Sequence, residues 1–146
     1  MPRPLSDVVC SCRKIERLLL VHLLTDNPVR CYRCKGQVDA ERIALTDKQI
    51  ELVAGWNQQF GSLYRLWLDS GEYERDSKEK LLDKNGQANI EGMALARSLS
   101  AKRPVYYWWF WDEEDPAPKD CPACGKTLNT ETAHGHGQCD ECRIVV

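Results

Sequence analysis

The sequence predicts an α+β chain, with two small four-cysteine zinc ribbons flanking a helical middle and joined through an aromatic-rich strand. Three observations predict it: cysteines paired near both ends, apolar residues at helical spacing between them, and a dense aromatic segment after Pro104. With 146 residues, 42% hydrophobic and 29% charged, the chain has the composition of a globular domain, not of a disordered polymer. The expected boundaries are 1–45 for the N-terminal ribbon, 46–103 for the helical segment, and 104–146 for the aromatic strand with the C-terminal ribbon. The three pieces are expected to pack as one compact unit.

The eight cysteines form four pairs: Cys10-x-Cys12, Cys31-x-x-Cys34, Cys121-x-x-Cys124 and Cys139-x-x-Cys142. A C-x-x-C turn brings two sulfurs to one tetrahedral ion, and two such turns complete a zinc site. Gly36 and Gly125 stand just after Cys34 and Cys124, where a chain wrapping sulfur with its own amides needs φ > 0. Joining neighbouring pairs leaves 18 residues between the pairs of the first site and 14 in the second. Crossed pairing closes loops of roughly 90 residues and costs about 1.4 kcal/mol more per site. The favoured ligand sets are therefore Cys10, Cys12, Cys31 and Cys34, and Cys121, Cys124, Cys139 and Cys142, with one Zn²⁺ each. A site of four cysteines keeps no open position, so both ions are expected to be structural.

The competing uses of cysteine fit less well. Met1-Pro2-Arg3-Pro4 lacks an apolar export stretch, and no apolar run approaches the ~20 residues of a bilayer span. A cytoplasmic, reducing setting is expected, where disulfides seldom persist. A thioredoxin-type redox motif needs one C-x-x-C beside a βαβ pattern, not four dicysteine pairs.

The remaining elements follow in order. Residues 18–24, ahead of Asp26-Asn27-Pro28, read as a strand of the first ribbon with His22 at an exposed position. Thr46-x-x-Gln49 is a capping box opening a helix of about 22 residues. Its apolar stripe is Ile50, Val53, Trp56, Phe60, Leu63, Tyr64 and Trp67, and Ser70-Gly71 ends it. A second helix is expected over 73–84, with Tyr73, Leu81 and Leu82 inward, ended by Asn85-Gly86. Asn89 then caps a third, through Ile90, Met93, Ala94, Arg97 and Leu99, which stops before Pro104. Aromatic enrichment makes 105–111 a strand. It reads as core more readily than as a base-stacking platform, because four adjacent carboxylates repel phosphate. Short strands near 127–129 and over 143–146 complete the second ribbon. His134-Gly135-His136-Gly137 reads as a solvated hairpin tip, not as metal ligands.

Two contact surfaces are candidates. Trp109 and Trp111 run into Asp112, Glu113, Glu114 and Asp115, an acidic run beside aromatic anchors that suits a basic protein partner, such as the target of an inhibitor, immunity-type protein or adaptor. The alternative is nucleic acid at the first ribbon, where Arg30, Tyr32, Arg33 and Lys35 interleave an aromatic with cations. Arg3, Arg13, Lys14 and Arg17 add to that basic half, against Asp7, Glu16 and Asp26. The net charge of -2 disfavours phosphate contact overall. Loading two zinc ions on eight thiolates takes it to about -6. No nucleophile–base pair or phosphate loop is present in the sequence and the metals are saturated, so the chain is expected to be non-catalytic.

The ordered motifs also resemble a known family. They are the Cys10/Cys12 pair, Cys31-x-x-Cys34 with Gly36, Ser70-Gly71-Glu72-Tyr73-Glu74, Asn89-x-x-Gly92 with Ala96-Arg97, and Pro104-x-Tyr106-Tyr107. Cys121-Pro122-x-Cys124-Gly125 and Cys139-Asp140-x-Cys142-Arg143 complete the set. Together they resemble a family of uncharacterised bacterial proteins described as zinc-ribbon-containing and as candidate nucleic-acid binders. The resemblance implies zinc at both cysteine sets.

Overall fold

The computed structural model describes residues 8–146; the readings that involve Met1 to Asp7 lie outside the described residues. Among the described residues there are five strands, β1 (Leu18–Leu20), β2 (Val29–Cys31), β3 (Val105–Trp108), β4 (Gln138–Cys139) and β5 (Ile144–Val145). Three helices, α1 (Asp47–Asp69), α2 (Glu74–Leu82) and α3 (Gln87–Leu99), lie between β2 and β3. The strands form one sheet in the order β2-β1-β3-β5-β4. β1 runs antiparallel to β2 and parallel to β3, β3 runs parallel to β5, and β4 closes the far edge antiparallel. Parallel partners need a long crossover, and the helical middle supplies it between β1 and β3.

Alternation along the strands divides the core. Leu18, Leu20, Val29, Val105, Tyr107 and Ile144 pack with Trp56, Phe60, Leu81 and Leu95 from the helices. Leu19, Tyr32, Tyr106 and Val145 form a smaller cluster on the other side of the sheet. Trp56 Nε1 donates to the Ala88 carbonyl at 3.0 Å, which ties α1 to the start of α3.

The α1 cap forms as its residue types require: Gln49 N donates to Thr46 Oγ1 at 3.1 Å, and Thr46 N donates to Gln49 Oε1 at 2.9 Å. Val53, Trp56 and Phe60 of the stripe are buried, whereas Ile50 is 42% exposed at the first turn. In α2 only Leu81 of the three expected inward residues is buried; Tyr73 and Leu82 face solvent. Asn89 does not cap α3. Gly86 takes that place, and Asn89 lies fully buried within the helix. The aromatic strand is shorter than expected, ending at Trp108. Its alternation is clear, with Tyr107 and Trp109 toward the main core and Tyr106 and Trp108 toward the smaller cluster. Residues 127–129 make only isolated bridges, Asp120 to Thr127 and Asn129 to Gln138.

Two of the histidine expectations are corrected. His22 is buried, with Nδ1 2.8 Å from Asn57 Oδ1 and its ring against Phe60 and Tyr64. Because Asn57 Nδ2 donates to the Thr25 carbonyl, its oxygen is the atom that faces His22, which makes Nδ1–H the donor. His134 is also buried, its Nε2 donating to the Tyr32 carbonyl, while its neighbour His136 is the exposed one.

Candidate metal centres

The local cysteine sets come together. Sγ atoms of Cys10, Cys12, Cys31 and Cys34 all lie within 4.8 Å of one another, and so do those of Cys121, Cys124, Cys139 and Cys142. A tetrahedral ion with metal–sulfur bonds near 2.3 Å requires sulfurs about 3.8 Å apart. The Cys124–Cys139 separation is 3.8 Å. Each group can therefore hold a metal ion through four soft donors with no cysteine to spare.

Two of the three C-x-x-C turns, Cys31–Cys34 and Cys121–Cys124, close with the same backbone bond. Lys35 N donates to the Cys31 carbonyl at 2.8 Å, and Gly125 N to the Cys121 carbonyl at 2.9 Å. Backbone amides also reach sulfur, from Gly36 to Cys34 and from Cys142 to Cys139, both at 3.4 Å. The residue directly after the second cysteine of each turn is left-handed: Lys35 at φ 62°, Gly125 at 78° and Arg143 at 56°. Gly125 meets the expectation, but in the first knuckle the left-handed residue is Lys35. Gly36 is required for a different reason. A Cβ there would stand 2.6 Å from Cys10 N and 2.8 Å from Cys10 Cα, so glycine lets the Cys10 backbone lie against the knuckle. Cys10 N donates to the Gln37 carbonyl at 2.9 Å across that approach.

Arg42, which sequence reasoning missed, clamps the first pair. Its guanidinium donates to the Cys10 carbonyl at 2.9 Å and also to the Cys12 carbonyl. It comes from a 3₁₀ turn, Ala40–Ile43, about thirty positions away, and no local motif announces such a contact.

Without a cation the four sulfurs share protons unequally. At Cys10 burial acts upward, but the Cys12 amide and hydrogen bonds from Cys34 and Cys31 outweigh it and bring the thiol down to about 7. Burial pushes Cys34 up to about 12. Burial likewise raises Cys142 in the second set. A bound divalent cation would strip the protons from all four.

The proposed contact surfaces fare differently from the ligands. Trp109 is 2% exposed and belongs to the core, and Asp112 is buried with its carboxylate 2.8 Å from Lys78 Nζ. Lys78 also holds Asp115 at 3.0 Å. Trp111 is half-buried against His136, which leaves Glu113 and Glu114 as the exposed carboxylates of the run. Arg30 is fully buried, its guanidinium donating to Thr25 Oγ1 at 2.8 Å, and Tyr32 is buried too. Arg33 is exposed, and Lys35 lies over the Trp108 ring. A cleft of about 770 Å³ opens beside the first cysteine set, lined by Arg13, Lys14, Arg17, Arg33, Cys12 and Cys31 among others. The crowding of Arg13, Lys14 and Arg17 next to Cys12 was the sequence signal for it.

No helix among the described residues is long and apolar enough to cross a membrane. Comparison with family models, curated proteins and solved structures finds no match to the chain. Fold and sites together define a class: an α+β chain with two four-cysteine groups compatible with zinc ribbons.

Proposed function

We propose that both four-cysteine groups hold structural zinc and that the chain is a non-catalytic module gripping nucleic acid by its backbone. All-thiolate tetrahedral donors suit zinc, and a set of four leaves no position for a substrate or water. The observation that carries the partner reading is the cleft beside the first set, where four exposed cations, Arg13, Lys14, Arg17 and Arg33, outnumber the one carboxylate that lines it, Glu16, 4.0 Å from Lys14. The acidic run supports the rival reading less well, since Lys78 already engages two of its four carboxylates.

The aromatics point to backbone contact and not to base reading. Tyr32 lines the cleft, but the Arg17 guanidinium already covers its ring, 3.9 Å from the centroid. A mainly cationic groove without a free stacking face contacts phosphates and carries no sequence information. The overall net charge of -2 opposes the approach of a polyanion, so binding is expected to be weak and confined to low salt.

Fluorescence anisotropy with mixed-sequence single and double strands, at rising salt, tests this. Four phosphate contacts give a slope of about -3 in log affinity against log salt on single strands. Arg17→Glu with Arg33→Glu should abolish the signal. No binding at low salt would sink the reading and favour a basic protein partner at Trp111, Glu113 and Glu114, the part of the aromatic–acidic surface that stays accessible.

A further inference from the structure

The two cysteine sets lie at opposite ends of the sequence, yet their knuckles share one seam of hydrogen bonds, buried at Tyr32 and half-open at Asp140. Tyr32 sits inside the first C-x-x-C turn, and Gln138 and Asp140 flank Cys139 in the second. The Tyr32 hydroxyl donates to Gln138 Oε1 across 106 positions of chain. The Tyr32 carbonyl accepts from His134 Nε2, on the loop that leads into β4. Gln138 Nε2 donates to Asp140 Oδ1 at 2.5 Å, and the Tyr106 hydroxyl donates to the same oxygen at 3.0 Å. The Tyr106 ring packs on the Tyr32 ring with centroids 5.2 Å apart, which closes the circuit.

Tyr32, His134 and Gln138 are each 7% exposed or less. A group so placed that loses its partner is not rescued by water, so each bond favours the state in which both knuckles are closed. Tyr32 faces Gln138 only while the Cys31–Cys34 turn keeps its shape. Gln138 and Asp140 hold their register only while the Cys139–Cys142 turn keeps its own. Metal is what would fix both shapes.

We infer that the two metal sites are coupled: filling either set of four sulfurs raises the affinity of the other through the Tyr32–Gln138 contact. The inference rests on the metal reading above. Coupling between sites commonly amounts to about 5- to 150-fold, and a seam made of a few hydrogen bonds belongs near the lower end, about tenfold. By linkage the factor is the same in both directions.

The full chain, stripped of metal and given one molar equivalent of Zn²⁺, can be examined by native mass spectrometry. For two sites of like affinity, independent binding puts about half of the chains in the one-ion form, and tenfold coupling lowers this to about a quarter. Tyr32→Phe keeps all eight cysteines and should raise the one-ion fraction. A second arm needs no assumption about like affinities. Cys121→Ser with Cys124→Ser removes the second site, and competition with a coloured chelator then measures the first. Its affinity should fall about tenfold when Tyr32 is present and stay unchanged in the Tyr32→Phe background. Equal one-ion fractions with and without the hydroxyl would overturn the coupling and leave the metal reading standing. Uptake of no metal by either chain would overturn both.

Discussion

The Tyr107 hydroxyl donates to Asn89 Oδ1 at 2.8 Å, joining the central strand to α3 inside the core. Asn89 Nδ2 in turn donates to the carbonyls of Leu81 and Asp83, at 2.8 and 2.9 Å. One buried amide thus ties together the end of α2, α3 and β3. Tyr107→Phe would keep the ring but leave Asn89 Oδ1 without its donor, costing about 1–3 kcal/mol. Urea unfolding of the metal-loaded chain checks this, and an unchanged midpoint and slope would refute it.

Gly36→Ala should open the first site. Its new methyl would meet Cys10 backbone atoms at 2.6 and 2.8 Å, which cannot swing aside as a flexible side chain can. The expected result is at least about a tenfold loss of first-site metal affinity, since roughly 1.4 kcal/mol of strain suffices for that factor. The adjacent Lys35, at φ 62°, should respond oppositely. Lys35→Gly relieves about 1–2 kcal/mol of left-handed strain, reduced by the greater freedom of glycine when unfolded. Chelator competition on the two variants reads both signs.

His22 makes stability sensitive to acid. Burial lowers its pKa, the hydrogen bond to Asn57 offsets part of that, and the nearby Arg65 charge adds to the lowering. The folded chain therefore binds fewer protons here than the unfolded one. The contribution of His22 is whole above its unfolded pKa of about 6.5 and is lost as pH falls toward the folded value. His22→Gln should flatten the difference in stability between pH 7.5 and pH 5 relative to wild type. Parallel curves for the two chains would count against this account.

Metal uptake should release protons. In the first set Cys12 is raised by its hydrogen bond to Cys10, Cys34 is pushed up to about 12 by burial, and Cys10 stands at about 7. At pH 7 at least about two protons must leave that site per ion, so affinity should fall about a hundredfold or more per pH unit lost. Indicator-dye measurement of proton release in weak buffer checks the count, and a pH-independent affinity would contradict it.

How far these features could be read in advance depended on the reach of their contacts. The Thr46–Gln49 box and the cysteine sets were legible because the capping contact spans three residues and the metal turns repeat a fixed spacing. The same spacing announces a tight turn without saying which residue takes positive φ. With glycine at one of the three positions, Lys35 and Arg143 could not be singled out. Asn89 looked like a cap because asparagine is a favoured N-cap residue and stands just before the apolar spacing that begins at Ile90, while its real partners, Leu81, Asp83 and Tyr107, lie 6–18 positions away. The acidic run looked like a surface because Lys78 is 34 residues before Asp112. The buried places of His22 and His134 follow from Asn57 and Tyr32, distant residues that no local period reveals.

Zinc content tests the central claim most directly. Elemental analysis of the purified, untagged chain should return two zinc atoms per molecule, and a strong chelator should unfold it, because structural zinc contributes about 10–16 kcal/mol per site. A chain that carries no zinc and keeps its circular dichroism and cooperative melting in chelator would contradict the account.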